Sequence, residues 1–220
     1  MATTDPRRTS VAPPDLNEPK VYELTDEHRE LVLDGVLVEQ QGAIPVQAER
    51  ILISESELRG VTLQAADSRG LRLSDVVLRS CDLSNIDGRE GSLSRVEIHN
   101  SRLLGFELAG GTAQDLRVVN SSLSLASFAF TKLKRVIFEG VNLAEASFME
   151  AQLEHVTFSN CKLAGTDFRR AKLKNCAIRG TSLEGIFGVD CLSGVTMPWA
   201  DVLESAGTLA TALGINIEQP

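Results

Sequence analysis

A period of five residues governs the centre of this chain. Taking every fifth residue from Ala48 to Leu183 gives 28 positions, and 24 of them are Leu, Ile, Val or Phe; the exceptions are Ala48, Ser68, Gly88 and Ala113. Two residues before these stands, almost throughout, a small or β-branched residue, as at Val61, Val76, Cys81, Val96, Ala126, Thr131, Val141, Ala151 and Thr166. The other three positions of each five are polar, small or charged, and no insertion breaks the frame. An α-helix repeats at 3.6 residues and a strand at 2, so neither accommodates this spacing. A chain that turns a corner every five residues does. Each five forms one side of a square, and four sides form a coil of 20. The large residue and the small one before it point inward, and the rest meet water.

The corners carry a chemistry of their own. The last residue of each five is Gly at 60, 70, 105, 110, 140, 165, 180 and 185, and Asn at 85, 100, 120, 160 and 175. Both tolerate positive φ, which a type II turn requires. Aromatic residues make up only 5% of the chain, which suits a narrow interior better than a thick globular core. Residues 48–183 then form seven coils, stacked at strand spacing of about 4.8 Å into a tower roughly 34 Å tall. Residues 31–45 supply most of an eighth coil, with Leu31, Leu33, Val36 and Val38 in register and Pro45 at a corner. The fold expected is all-β, a right-handed quadrilateral parallel β-helix of seven to eight coils with a C-terminal α-helical cap. Spacing by 20 stacks Leu63 through Leu183 on one side, and Phe128, Phe148 and Phe168 on another, next to Phe138 and Phe158. The C-terminal half is expected to be the more stable. Gly88, Gly91, Gly111 and Ala113 thin the core and mark the place to expect a bend, a bulge or weak packing.

Segments such as Ala171-Lys172-Leu173-Lys174-Asn175, Val141-Asn142-Leu143-Ala144-Glu145 and Cys161-Lys162-Leu163-Ala164-Gly165 resemble the A(D/N)LXX unit of the pentapeptide-repeat family. The resemblance covers residues 46–185, although Lys, Ser, Arg or Glu often replaces the Asp or Asn before the Leu. It implies a binding protein rather than an enzyme. It also implies a second reading. The quinolone-resistance members, the Qnr and MfpA types, are similar to duplex DNA in size and charge and bind DNA gyrase or topoisomerase IV. A chain of that kind protects or inhibits a type II topoisomerase and confers antibiotic resistance.

Charge distribution weighs on that choice. The net charge is −8, but residues 1–45 hold −5, residues 46–185 hold +1 and residues 186–220 hold −4. A DNA mimic must present rows of negative charge where duplex DNA has phosphates. A near-neutral tower argues against mimicry and favours a scaffold that binds a protein partner through its rigid faces.

The ends divide the chain further. Residues 1–19 hold four prolines and no apolar periodicity and read as a disordered tail; residues 20–45 read as an N-terminal cap and first partial coil, 46–190 as the solenoid and 191–220 as a helical cap. A solenoid exposes its core at both ends and needs such caps. In the cap, Trp199, Val202, Leu203, Ala206, Leu209 and Leu213 recur at helical spacing after Thr196-Met197-Pro198, and Gly214 stops the helix. In the family, terminal segments of this kind form a symmetric dimer contact. A pure cap and a homodimer interface are both open readings.

Catalytic signatures are missing from the sequence. His28, His99 and His155 have no ligand-type residues at metal spacing, and no phosphate loop, nucleophile elbow or paired carboxylates occur. No cofactor is expected. Cys81 and Cys161 lie four coils apart, roughly 19 Å by strand spacing, too far for a disulfide. There is no apolar run long enough for a membrane span and no apolar signal core, so the expected location is the cytoplasm with reduced thiols. The candidate surface has two parts. Lys132, Lys134 and Arg135 share a face with Lys172 and Lys174 two coils on, with Arg169 and Arg170 alongside and Glu154 between the clusters. That face suits an acidic partner, and the interruption by Glu154 argues against direct nucleic-acid binding. Phe130 and Met149 occupy outward positions on neighbouring coils, where exposed apolar groups mark contact sites.

Overall fold

The computed structural model describes residues 10–18, 20–23, 27–39, 46–64 and 68–218. Pro45 and, of the expected tail, residues 1–9 and Pro19 lie outside them. The strands are β1 (Lys20–Val21), β2 (Glu27–Asp34), β3 (Val36–Glu39), β4 (Val46–Arg59), β5 (Leu63–Gln64), β6 (Arg72–Arg79), β7 (Ser92–His99), β8 (Thr112–Val119), β9 (Lys132–Glu139), β10 (Gln152–Ser159), β11 (Lys172–Lys174) and β12 (Ala177–Arg179). They form one parallel sheet that winds as a solenoid of about seven turns with a small helical end. The offset between coils is 20 residues, as in Leu73↔Leu93↔Ala113↔Leu133↔Leu153↔Leu173. The same offset pairs Leu31 with Ile51 and Leu37 with Glu57, so residues 27–39 continue the tower. Among the described residues no helix is long and apolar enough to cross a membrane.

Each strand from β6 to β10 serves two sides of the square. Its fourth residue, Asp75, Arg95, Asp115, Arg135 or His155, takes φ between 51° and 58° and bends the strand around a corner. The other two sides hold only single bridges, such as Asp82↔Arg102 and Asp87↔Glu107, between turns. Positive φ extends to corners that lack Gly and Asn, including Leu125 at 61° and Phe130 at 59°. L-residues pay a steric penalty there, on the order of 1–2 kcal/mol. The corner N–H groups offset it by bonding to the next coil: Gly60 donates to Arg79 O, Asn85 to Leu104 O and Phe130 to Met149 O, all at 2.7–2.9 Å.

The interior is a continuous column of buried Leu, Ile, Val and Phe. Phe128, Phe148 and Phe168 stack with centroids 5.1 Å apart, and Phe138 stacks on Phe158 at 5.3 Å. The two ladders meet edge to face at 5.7–6.2 Å. Such pairs contribute about 0.5–1.5 kcal/mol each beyond area burial. Small polar residues inside are satisfied between coils: the hydroxyls of Ser101, Ser121 and Thr181 accept the N–H groups of Cys81, Ser101 and Cys161, each at 3.0 Å.

The expected bulge near Gly88 is not there; β6, β7 and β8 keep the 20-residue register throughout. Volume is exchanged between the two inward positions instead. Where the large position holds Ser68 or Gly88, the neighbouring small positions hold Leu71 and Ile86; where it holds Ala113, the small position holds Leu116, and all except the glycine are among the buried residues. The register does shift near the N-terminus. Val46 pairs with Leu63 at an offset of 17, whereas Leu52 pairs with Arg72 at 20.

The C-terminal end closes the tower through a 3-10 turn at Val189–Leu192 and two short helices, α1 (Trp199–Glu204) and α2 (Ala206–Ala212). Before them Thr196 adds to the sheet by bridging Ala177. The one helix suggested by the sequence is broken at Ser205, whose φ −92° and ψ 5° leave the helical region just ahead of Gly207. Gly214 ends α2 with φ 74°, the left-handed conformation expected of a helix-stopping glycine.

Candidate interaction surface

Strand register puts the lysines on one side of the tower. Lys132, Gln152 and Lys172 align across β9, β10 and β11, as do Lys134, Glu154 and Lys174. Their side chains point outward because the alternating Leu133 and Leu153 point in. They surround an open hollow of about 340 Å³. Glu154 binds Lys174 Nζ at 3.0 Å. That hydrogen bond, helped by the charges of Lys174 and Lys134, holds the Glu154 carboxyl below its usual range. Among the described residues Lys132, Lys134 and Lys172 form no ion pair.

Arg135 does not join them. It occupies the corner after Lys134, and its guanidinium reaches the previous coil, where Nε and Nη2 bond both oxygens of Asp115 at 2.7 and 2.6 Å. Arg169 and Arg170 are also engaged, with Asp167 at 2.7 Å and Glu150 at 3.1 Å. The free positive charge is therefore smaller than the sequence suggested.

Phe130 stands at the corner that leads into the lysine face, one residue before Thr131 and Lys132. It is 55% exposed, and its N–H donates to Met149 O at 2.9 Å. The structure thus places Phe130, Met149, Lys132, Lys134, Lys172 and Lys174 around one edge of the tower. Sequence reasoning missed Leu125, at the preceding corner and 54% exposed. The signal was available, since a large apolar residue at a corner position is as anomalous at 125 as at 130. Between these corners Ser127, and Ser147 and Met149 on the next coil, carry no charge, and Ala129 is buried. Charge borders this window on both sides: Glu107, which bridges Ser127 and lies 3.6 Å from Arg89, on one, and the Asp167–Arg169 pair on the other.

Elsewhere on the tower the acids are largely neutralised. Glu57 is bound by Arg59 and Arg79, Asp75 by Arg95, and Glu139 by Arg117. Their arginine partners hold the carboxyls of Glu57, Asp75, Asp87, Asp115 and Asp167 below their usual values. Cys81, Cys161 and Cys176 are buried free thiols, and burial pushes Cys81 up to about 11. Among the described residues no group of three His, Cys, Asp or Glu side chains is arranged to hold a metal ion.

The C-terminal candidates divide into two sets. Leu209 packs against the core with Val189, Val195 and Met197, and so belongs to the cap. Trp199, at 73% exposure, faces outward with Leu203, Ala206 and Leu213, joined by Ile215 and Ile217, which the helical spacing did not reveal; Val202 is half-buried.

Residues 114–187 match the family model described as a pentapeptide repeat region. No curated protein matches the sequence. Among solved structures, a trypsin-treated variant of QnrB1, a plasmid-mediated fluoroquinolone resistance protein, is 20% identical, with 89% of this chain and 95% of that chain covered and a TM-score of 0.47. Full-length QnrB1 is 18% identical over 86% of this chain and 100% of that chain, with a TM-score of 0.40. HetL, a pentapeptide repeat protein involved in heterocyst differentiation regulation from the cyanobacterium Nostoc sp. strain PCC 7120, is 18% identical over 80% and 90%, with a TM-score of 0.31. The pentapeptide repeat region that the family model places on residues 114–187 lies inside a five-residue frame that winds coil upon coil from residue 48 to 183.

Proposed function

We propose that this protein is a non-catalytic scaffold that binds a protein partner at the edge marked by Leu125, Phe130 and Met149. The observation that carries this reading is the placement of Leu125 and Phe130. Both are large, more than half exposed, and held at positive φ, where Gly would relieve strain and Asn would keep the surface polar. The window between them is uncharged, with Met149 as its apolar member, and Lys132 and Lys172 beside it suit an acidic rim on the partner. The packed interior supports a role confined to the outer faces.

A DNA-mimic reading, with gyrase or topoisomerase IV as target, needs unneutralised rows of acid. The arginine pairing of Asp75, Asp87, Asp115 and Asp167 supports the scaffold reading over it. The outward Trp199, Leu203 and Leu213 suit a homodimer formed through the C-terminal end.

The test is affinity capture from an extract of the source organism with wild-type protein and with Leu125→Asp/Phe130→Asp. A partner held by the wild type and lost from the variant supports the reading; identical capture by both overturns it. Gyrase supercoiling measured with added protein separates the two readings, because only a topoisomerase binder inhibits it or protects against a fluoroquinolone.

A further inference from the structure

Residues 10–18 do not hang free. They run along the corner column formed by the middle residues of the long strands, from Asp115 towards Glu55. Ala12 N–H donates to Asp115 Oδ1 at 3.3 Å, and Asp15 N–H donates to Asp75 Oδ1 at 3.0 Å. The Asn17 side-chain amide reaches Glu55, and Lys20 N–H then donates to Gly35 O at 3.0 Å, which leads the chain into β1. Asp75 and Asp115 are only 6% and 4% exposed, although they sit at corners of a surface.

The spacing explains the fit. Asp75 and Asp115 lie two coils apart, about 9.6 Å at strand spacing. Three residues of polyproline II span about 9.3 Å. One N–H every third residue therefore meets one carboxylate every second coil. The residues between the two donors are Pro13 and Pro14, which have no N–H to leave unpaired and favour this conformation. Arg95 and Arg135 fill the alternate rungs and bind the same carboxylates in bidentate fashion, which fixes their oxygens in place. Val11 and Pro14, three residues apart, are partly covered by the tower, while Ala12, Pro13 and Asp15 stay exposed. Asp15 also lies close enough to stabilise the Arg95 charge.

We infer that the corner column from Glu55 to Asp115 is a docking strip for an extended proline-proline-acid segment of another protein, and that residues 10–18 are its tethered occupant. Recognition rests on backbone N–H spacing and on proline, with Arg95 selecting the acid after the prolines. Among the described residues, two backbone donors and one side chain hydrogen-bond residues 10–18 to the column, and Val11, Pro14 and Leu16 are partly covered. A partner segment of the same chemistry replaces these contacts one for one. The tethered strap lowers the apparent affinity for that partner by the fraction of time it leaves the strip open. This site is separate from the Leu125–Phe130 edge, and neither reading depends on the other.

The experiment uses the full chain. Ala12→Pro/Asp15→Pro removes both strap donors and leaves the strap in a conformation proline accepts. A fluorescein-labelled peptide, Ser-Val-Ala-Pro-Pro-Asp-Leu-Asn-Glu, is titrated by anisotropy against wild type, this variant, and this variant carrying Asp75→Asn/Asp115→Asn. Circular dichroism confirms the solenoid in each. The peptide is expected to bind the donor-less variant about tenfold more tightly than wild type, and to lose that binding when the two carboxylates are neutralised. No binding to the donor-less variant at millimolar protein overturns the proposal. So does equal binding to all three proteins.

Discussion

Leu71 occupies the space that a side chain on Gly88 would fill. A Cβ built on Gly88 would stand 3.1 Å from Leu71 Cδ2 and 3.0 Å from Glu107 O. A leucine at a small inward position thus complements a glycine at a large one 17 residues further on, and the column stays closed. Leu71→Ala should cost about 2–5 kcal/mol, as for other fully buried leucines. Gly88→Ala should be less damaging in the Leu71→Ala background than alone. Urea denaturation of the four proteins of that cycle measures the coupling; additive effects would show that the two residues do not share the space.

The phenylalanine ladders should make the C-terminal half the last to open. Phe148 stacks between Phe128 and Phe168 and meets Phe138 and Phe158 edge-on, so Phe148→Ala is expected to cost about 3–5 kcal/mol. Native-state hydrogen exchange should show slower amides in β9 and β10 than in β2 and β3. The reverse order would place the stable core elsewhere.

The strap should respond to acid. Arg135 holds the Asp115 carboxyl below its usual range, with the Ala12 N–H adding to it, and Arg95 with the Asp15 N–H does the same for Asp75. A carboxyl depressed in the folded state contributes stability that is present above its unfolded pKa near 3.9 and is lost as pH falls through the folded value. Amide protection at Ala12 and Asp15 should therefore persist at pH 5 and above and fade as the pH drops below about 4. Protection that stays unchanged to pH 2 would show that the carboxylates do not hold the strap.

Corner glycines should resist substitution where an asparagine lies one coil before. A Cβ on Gly140 would stand 2.5 Å from Asn120 Oδ1, at a φ of +63°. Gly140→Ala is expected to destabilise by roughly 1–3 kcal/mol, and Asn120→Gly should recover part of the loss. Thermal melts of the single and double variants report it.

The proposed C-terminal dimer should be lost in Trp199→Glu/Leu203→Glu without lowering the melting temperature of the tower. The two side chains face outward, whereas Leu192 and Leu209 do the capping. Light scattering on wild type and variant decides; equal masses would leave this face as cap surface alone.

The tower follows from the five-residue repeat alone. A five-residue frame dictates which side chains point in, and a coil of 20 dictates which of them stack, so the Phe ladders and the alignment of Lys132 with Lys172 were legible before any coordinates. Phe130 and Met149 stood out because they break the polar pattern of outward positions. What the frame could not say is what long or unrepeated elements do. The side chain of Arg135 chooses between the lysine face and Asp115, and only the three-dimensional neighbourhood shows the buried carboxylate that captures it. Leu71 and Gly88 look like separate irregularities until packing sets them against each other. Residues 10–18 have no periodicity because their order comes from the tower, through carboxylates 60 and 103 residues away in the chain. Local repetition fixes the scaffold, and tertiary contacts over such separations decide which of its surfaces are already taken.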